Sequence, residues 1–282
     1  MYERYWRLNE KPFKNTPDPR FIYYSQKYNE ALSRIFYVVR EKESAAVLTG
    51  EYGSGKTLLS RVLLEELSKE QYQPALIFNP RLPTLELLKE IIYQLGGDTS
   101  SLVHKIDLLH ALNEILYKNK SENRNTVILI DEAQAIPEEE TFEELRLLLN
   151  FQLNDNFLLT LILLGQPELK DKINNIPQLK QRIAVSYYLK ALTPDETKEY
   201  IKHRLTVAGA KDEIFQEDAF TEIYRHSEGI PRRINNICEM ALLAGYSEEL
   251  SKIDNNTIIE VVKDMEINIA GIDDKTGRTI NG

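Results

Sequence analysis

Apolar and polar residues follow two alternating patterns along the first two thirds of the chain. One pattern consists of short, almost continuously apolar runs, namely AAVLTG (45–50), ALIF (75–78), TVILID (126–131), FLLTLILLG (157–165) and AVSYYL (184–189). Runs of this length, bounded by turn or charged residues, predict strands that are buried on both faces. The other pattern is helical and predicts helices at Asn29–Arg40, Lys56–Ser68, Thr84–Leu95, Ile106–Asn119 and Glu138–Leu149. Their alternation predicts an α/β fold with a parallel sheet and helices on both of its faces.

After Leu189 only helical periodicity remains. Thr193, Pro194 and Glu196 have the spacing of a capping box with proline at the first helical position. Further helices are predicted at 194–207, 216–226, 231–246 and 254–266. The aromatic residues near the N-terminus indicate a packed arm rather than a nucleic-acid stacking platform. We therefore predict a sheet-containing core with an N-terminal arm, a small all-helical lid domain and a flexible polar tail, at 1–190, 191–267 and 268–282.

Composition and charge exclude several classes of protein. Hydrophobic residues make up 42% and charged residues 28% of the 282 positions, which is typical of a globular protein. The only cysteine, Cys238, excludes an internal disulfide and a cysteine-rich metal site, and it favours a reducing cytoplasm. The longest apolar stretch, Phe157–Leu164, is far shorter than the roughly 20 residues that span a bilayer. We therefore expect a cytoplasmic protein without direct membrane insertion, which reaches the inner face of a membrane only through a partner.

The segment Gly50–Thr57, GEYGSGKT, matches the phosphate-binding loop pattern G-x-x-x-x-G-K-[ST]. It follows a predicted strand and opens a predicted helix, so its backbone amides and the helix N-terminus can surround phosphate oxygens. We expect Lys56 to reach the β- and γ-phosphates of ATP from the protein surface, where it adds little to packing. The Thr57 hydroxyl is a predicted Mg²⁺ ligand. The predicted nucleotide-binding residues are Gly50, Glu51, Tyr52, Gly53, Ser54, Gly55, Lys56, Thr57 and Leu58.

Two acidic residues end the third predicted strand, and a glutamine follows the fourth. Carboxylates at the carboxyl edge of a parallel sheet lie where α/β proteins bind ligands. We expect Asp131 to hold Mg²⁺ through its hydration shell and Glu132 to polarise the attacking water. Gln166 is the candidate for a polar residue between the γ-phosphate and that water. The alternative for Gln166 is an ordinary loop glutamine.

Six motifs follow one another along nearly the whole chain. They are the opening PFKNTPDPRFIYYSQKYNEAL, the phosphate loop (Walker A), LIDEAQ (Walker B), LLGQPEL, QLKQRI (178–183) and GIPRRINNIC (229–238). In this order they resemble the motifs of AAA+ ATPases related to the ExeA/GspA secretion ATPases, and more distantly those of transposition ATPases of the MuB/TniB type. The resemblance implies a P-loop NTPase (AAA+) core followed by a helical lid.

The same resemblance implies further residue roles. Arg182 falls where AAA+ proteins carry the arginine finger, which acts on the ATP of a neighbouring subunit. The alternative is a surface arginine at the end of a helix. Arg232 matches the second sensor, which contacts the γ-phosphate in the same subunit, and Arg233 is the alternative for that role. A finger acting on a neighbour implies a homo-oligomer.

The predicted activity is Mg²⁺-dependent hydrolysis of ATP to ADP and phosphate. The resemblance implies a role in assembling or energising a secretion or pilus-type envelope system, with a protein partner that can be a membrane protein. The alternatives are a nucleic-acid-associated ATPase, such as a transposition regulator, and an ATP-dependent regulatory switch. Residues 191–282 hold 11 Lys and Arg against 18 Asp and Glu, within a net charge of −9. This acidic balance argues against nucleic acid, because DNA-binding domains usually present a basic face.

Overall fold

The structure is a computed structural model that describes residues 1–67, 71–153 and 156–276, with side chains up to residue 266. Its strands are β1 (Ala45–Gly50), β2 (Tyr72–Ile77), β3 (Asn125–Ile130), β4 (Leu159–Gly165) and β5 (Ile183–Leu189). Its α-helices are α1 (Tyr2–Tyr5), α2 (Gln26–Arg40), α3 (Lys56–Leu67), α4 (Thr84–Gln94), α5 (Lys105–Ser121), α6 (Glu139–Leu148), α7 (Glu168–Asn174), α8 (Pro177–Lys180), α9 (Pro194–Val207), α10 (Glu217–Ser227), α11 (Pro231–Ser247) and α12 (Asn255–Thr276). Single 3₁₀ turns occur at Pro19–Phe21 and Ala133–Ala135.

The strands form one parallel sheet in the order β2-β3-β4-β1-β5. The predicted α/β architecture, a parallel sheet flanked by helices and followed by a helical region, is confirmed. The central strands β1, β3 and β4 are buried along their whole length, which explains their continuous apolar sequence. The prediction of burial on both faces is wrong for β5. This end strand alternates half-buried with exposed residues up to the buried Leu189, because one of its faces is open to solvent.

The chain divides into two compact units, of which Gln26–Lys190 contains the sheet. Its core joins the inner strands to the apolar faces of α4, α5 and α6. The predicted helices of this unit are present with ends shifted by at most three residues. Ser68, the predicted last residue of α3, lies outside the described residues.

The second unit combines Met1–Ser25 with the chain from Ala191 onwards. We predicted that the N-terminal arm belongs with the sheet, and this prediction is wrong. The arm packs in the core of the helical unit. There the Phe13 and Phe215 rings lie edge to face, with 6.4 Å between the ring centroids. The buried guanidinium of Arg204 also donates hydrogen bonds to the carbonyls of Pro12 and Lys14. The arm therefore covers apolar surface that four helices leave unburied.

The predicted capping box begins α9. The Thr193 side chain accepts a hydrogen bond from the Glu196 amide, and the Glu196 carboxylate accepts one from the Thr193 amide. At the other end of the unit, α12 continues to Thr276, so helix occupies the first part of the predicted tail at 268–282. Residues 277–282 of that tail lie outside the described residues. Among the described helices, none is long and apolar enough to cross a membrane.

Candidate nucleotide-binding site

The strand order brings three predicted site segments to one edge of the sheet. Strand β4 lies between β3 and β1, and Thr49 of β1 pairs with Gly165 of β4. The loop after Gly50, the acidic pair after β3 and Gln166 after β4 therefore leave adjacent strands at their carboxyl ends. This edge is where open α/β sheets bind their ligands.

The loop after β1 has the shape that phosphate binding requires. Gly53 and Gly55 have φ angles of 82° and 102°, in the left-handed region where residues with a Cβ are strained. Helix α3 begins immediately after this turn, at Lys56. The Ser54 hydroxyl is buried and has no hydrogen-bond partner among the described residues. A buried polar atom without a partner is costly, so this hydroxyl fits a polar ligand in the loop.

Lys56 lies inside the loop, and the expectation of a surface lysine is wrong. The residue is only 4% exposed. Its ammonium donates hydrogen bonds to the carbonyl oxygens of Gly50 at 2.7 Å and Glu51 at 2.9 Å. Burial lowers the pKa of Lys56, and the nearby carboxylates of Glu132 and Asp131 oppose that shift. A cation is therefore held at the centre of the loop, where phosphate charge would be neutralised.

Asp131 is also buried, beside the start of α3. Its carboxylate accepts a hydrogen bond from Thr57, and Ser60 Oγ lies 3.5 Å from its Oδ2. Burial raises the pKa of Asp131, and the bond from Thr57 opposes that shift. The two predicted Mg²⁺ ligands are thus in contact with each other. No group of three or more His, Cys, Asp or Glu side chains that could hold a metal ion occurs among the described residues, so a metal ion here would need ligands from a bound nucleotide or water.

Glu132 and Gln166 are in contact at the same edge. Gln166 Nε2 donates to Glu132 Oε2 at 3.2 Å, and the Gln134 side-chain amide donates to the same oxygen. The Glu132 backbone has a φ of 51°, which is uncommon for a residue other than glycine. Unusual backbone of this kind is frequent at functional sites.

Two tyrosines hold the phosphate loop from outside, and the sequence analysis missed both. The Tyr28 hydroxyl donates to the Gly55 carbonyl at 3.0 Å, and the Tyr188 hydroxyl donates to the Glu51 carboxylate at 2.7 Å. The bond to Glu51 raises the pKa of Tyr188 to about 12. Tyr188 belongs to the apolar run AVSYYL, and Tyr28 precedes the predicted helix that begins at Asn29, so no local signal indicated these contacts.

Arg182 lies at the amino ends of the strands, whereas the phosphate loop lies at their carboxyl ends. Ile183 pairs with Ala45 at the start of β1, whereas Leu189 pairs with Gly50 at its end. Seven residues of strand extend about 20 Å, which is more than an arginine side chain can span. The guanidinium donates to Asn150 Oδ1 at 3.0 Å and lies over the Phe157 ring. The fold therefore separates Arg182 from Lys56, Glu132 and Gln166 of its own subunit, which lie at the carboxyl ends of the strands.

The two candidate sensor arginines begin α11 in the helical unit. Arg232 and Arg233 follow Pro231, which occupies the first helical position. Arg233 is exposed and forms an ion pair with Glu228 at 2.5 Å. Arg232 is half-buried. Neighbouring positions on a helix point in different directions, so only one of the two can face a given ligand.

Comparison with known proteins identifies the same class of domain. The AAA domain family model matches residues 39–173. General secretion pathway protein A of Aeromonas hydrophila is 36% identical over 262 residues, which are 92% of this chain and 47% of that protein. An uncharacterized HTH-type transcriptional regulator of Methanocaldococcus jannaschii is 30% identical over 168 residues, covering 58% of this chain and 40% of that protein. The chain thus spans about half the length of the curated relatives that it matches.

Solved structures share the fold at low sequence identity. The Aeropyrum pernix ORC2 protein superposes with a TM-score of 0.69 and 17% identity, over 90% of this chain and 71% of that chain. Cdc6p of Pyrobaculum aerophilum superposes with a TM-score of 0.68 and 17% identity, over 87% of this chain and 70% of that chain. The RuvB Holliday junction branch migration motor of Thermotoga maritima superposes with a TM-score of 0.57 and 18% identity, over 85% of this chain and 69% of that chain. The predicted resemblance to ExeA/GspA is confirmed: residues 39–173 match the AAA domain family model, and the chain is similar to General secretion pathway protein A along most of its length.

Proposed function

We propose that this protein binds ATP and hydrolyses it to ADP and phosphate in a Mg²⁺-dependent reaction. One observation carries the proposal: a phosphate loop with a buried central lysine lies at the same sheet edge as an acidic pair whose second member contacts a glutamine. Each part fits one requirement of phosphoryl transfer to water, namely charge neutralisation, metal binding and orientation of the nucleophile.

The phosphate loop would bind the nucleotide through its backbone amides, the Ser54 hydroxyl and Lys56. The ammonium of Lys56 already lies among the loop carbonyls, so a small movement would bring it to phosphate oxygens. Thr57 and Asp131 are in contact and offer the oxygen ligands that Mg²⁺ prefers. When bound, Mg²⁺ neutralises charge on the β- and γ-phosphate oxygens.

Glu132 would orient the attacking water and accept its proton. Its carboxylate is half-buried beside Asp131, at the edge where the γ-phosphate would lie. Gln166 lies within hydrogen-bond distance of this carboxylate, so it can couple the presence of the γ-phosphate to the orientation of Glu132. Electrostatic stabilisation by fixed groups of this kind is usually the largest contribution to catalysis.

Arg182 would complete the site of a neighbouring subunit. Its separation of about 20 Å from its own phosphate loop supports action on a neighbour, because the side chain cannot reach back. The active form would then be a homo-oligomer, and hydrolysis would depend on association. Arg232 is the proposed sensor from the helical unit, because it is half-buried at the start of α11 whereas Arg233 is exposed to solvent.

The identity to General secretion pathway protein A supports a role in a secretion or pilus-type envelope system. The contact with that system would be made through a protein partner at the inner face of the membrane. Deleting the gene in its host and measuring exported protein in the medium tests this role. Secretion should fall and should be restored by the wild-type gene but not by the Glu132→Gln gene. Unchanged secretion together with ATP-dependent, salt-sensitive DNA binding would favour the nucleic-acid alternative.

Two variants test the catalytic assignment. Glu132→Gln should keep ATP bound but lower turnover by about 10²-fold or more, because only the water-activating carboxylate is lost. Lys56→Ala should weaken ATP binding by at least roughly tenfold, since it removes charge-assisted contacts. Glu138→Gln, the same change at an exposed position nearby, is the control for Glu132. Turnover at the wild-type rate in Glu132→Gln, or wild-type ATP affinity in Lys56→Ala, would contradict the assignment.

A further inference from the structure

The side chain of Gln134 joins the Glu132 carboxylate to the backbone of Gln166, the residue that follows β4. Its Nε2 donates a hydrogen bond to Glu132 Oε2. Its Oε1 accepts a hydrogen bond from the backbone amide of Gln166 at 3.0 Å. Both polar ends of one half-buried amide are therefore used, one on the Glu132 side chain and one on the backbone of Gln166, just after β4.

The end of β4 leaves room for this amide only because it is a glycine. A Cβ added at Gly165 would lie 2.6 Å from Gln134 Oε1 and 2.8 Å from a side-chain carbon of Leu169. Side-chain carbons do not approach oxygen that closely, so any larger residue would displace the amide or the strand. The contact between Gln134 and β4 is thus built into the packing of both segments.

The backbone around Gln134 is held as well. Lys172 of α7 donates from Nζ to the carbonyl oxygens of Gln134 at 2.7 Å and Ile136 at 2.6 Å. Hydrogen bonds from an ammonium are among the stronger ones in proteins. The turn after Glu132 is therefore fixed through its side chain and through its main chain by the segment that begins at Gln166.

Among side chains of the size and shape of glutamine, only the neutral amide can make both contacts. A carboxylate of the same shape could still accept from the Gln166 backbone, but it has no hydrogen to donate and would repel Glu132. An aliphatic residue would lose both bonds. The choice of glutamine at position 134 is therefore specific to holding the Glu132 carboxylate, rather than to filling space.

We infer that Gln134 is a positioning residue, which orients the Glu132 carboxylate and ties it to the segment that carries Gln166. The inference rests on the proposed role of Glu132 as the water-activating group. With one oxygen held by two amides, Glu132 keeps a defined direction, and its other oxygen stays available to the water. A misplacement of about 1 Å in such a group can cost 10²-fold in rate.

Steady-state kinetics of Gln134→Glu tests the inference. We expect kcat to fall by about 10- to 100-fold, while KM and the dissociation constant of fluorescent ATP change less than about twofold. Gln216→Glu, the same change at an exposed position just before α10, should behave as wild type. A wild-type kcat in Gln134→Glu, or a loss of nucleotide affinity as large as the loss of kcat, would overturn the inference.

Amide hydrogen exchange tests the contact independently of turnover. In Gln134→Ala the Gln166 amide loses its acceptor and should exchange about 10-fold faster, whereas the interior amides of β4 should be unaffected. Gln134→Glu keeps that acceptor and should leave the Gln166 rate near wild type. Unchanged exchange in Gln134→Ala would overturn the inference. Absence of ATPase activity in the wild-type protein would instead count against the proposed function.

Discussion

The attachment of the N-terminal arm depends on one buried arginine, and replacing Arg204 by lysine should release the arm. Arg204 is 5% exposed. Its guanidinium donates to the Pro12 carbonyl at 2.6 Å, to the Lys14 carbonyl at 3.0 Å and to the Tyr200 hydroxyl at 2.9 Å. It also lies over the Phe21 ring at 4.9 Å.

The size of the effect follows from these contacts. A lysine keeps the charge but concentrates its donors at one point, so it cannot reproduce the planar fork of arginine. We expect two of the three hydrogen bonds to be lost. Hydrogen bonds to charged groups contribute about 1.5–3 kcal/mol each, so the free energy of opening should fall by about 3–6 kcal/mol. That decrease raises the population of the open form roughly 10²- to 10⁴-fold.

Limited proteolysis with trypsin measures this population, because Lys14 lies within the arm and its peptide bond becomes accessible on opening. Cleavage after Lys14 should accelerate by the same factor in Arg204→Lys. The control is Arg233→Lys, because that arginine makes an exposed ion pair with Glu228, worth about 0–1 kcal/mol. Wild-type cleavage in Arg204→Lys, or equal acceleration in the control, would refute the assignment of the arm to the helical core.

Two further predictions concern the nucleotide site. Burial raises the pKa of Asp131 above its unfolded value, so its ionised form destabilises the fold increasingly as pH rises from the unfolded pKa through the folded one. Asp131→Asn should therefore raise Tm at neutral pH, by about 2–4 °C for each kcal/mol of this destabilisation that it removes. The same variant should show a smaller increase in Tm when ATP and Mg²⁺ are added. An unchanged or lower Tm of the variant in calorimetry would contradict the predicted stabilisation. For the oligomer, Arg182→Ala and Glu132→Gln should each be inactive alone, and their equimolar mixture should regain roughly a quarter of the wild-type rate if subunits associate at random. No recovery at concentrations where light scattering shows mixed oligomers would reject action on a neighbour.

Much of the fold could be predicted because its signals are local. Strands β1, β3 and β4 are buried on both faces, so their sequences are continuously apolar and easy to recognise. The burial of β5 could not be predicted in the same way. A run such as AVSYYL does not show that alternate residues of this strand are exposed to solvent. The arm was assigned to the wrong unit because its partner Arg204 lies 190 residues away from Lys14, beyond any local pattern.

The candidate site divides in the same way. The phosphate loop and the acidic pair are short motifs whose chemistry can be inferred from residue type and spacing. The burial of Lys56 and the contacts of Gln134 depend on how strands from distant parts of the chain meet. Gln134 stood beside the Walker B residues in the sequence, yet only the proximity of Gln166 shows that both ends of its amide are used.

The two edges of the sheet differ in their resistance to aggregation. At one edge, β2 contains Pro74, which interrupts pairing with another strand. At the other, β5 contains neither proline nor charge, and such an edge can template pairing between chains. The charged residues Arg182 and Lys190 flank β5 directly, and charged residues in such positions act as gatekeepers that limit self-association. Neutralising Arg182 thus weakens solubility as well as removing a guanidinium, and Arg182→Lys, which retains the charge, separates the two effects.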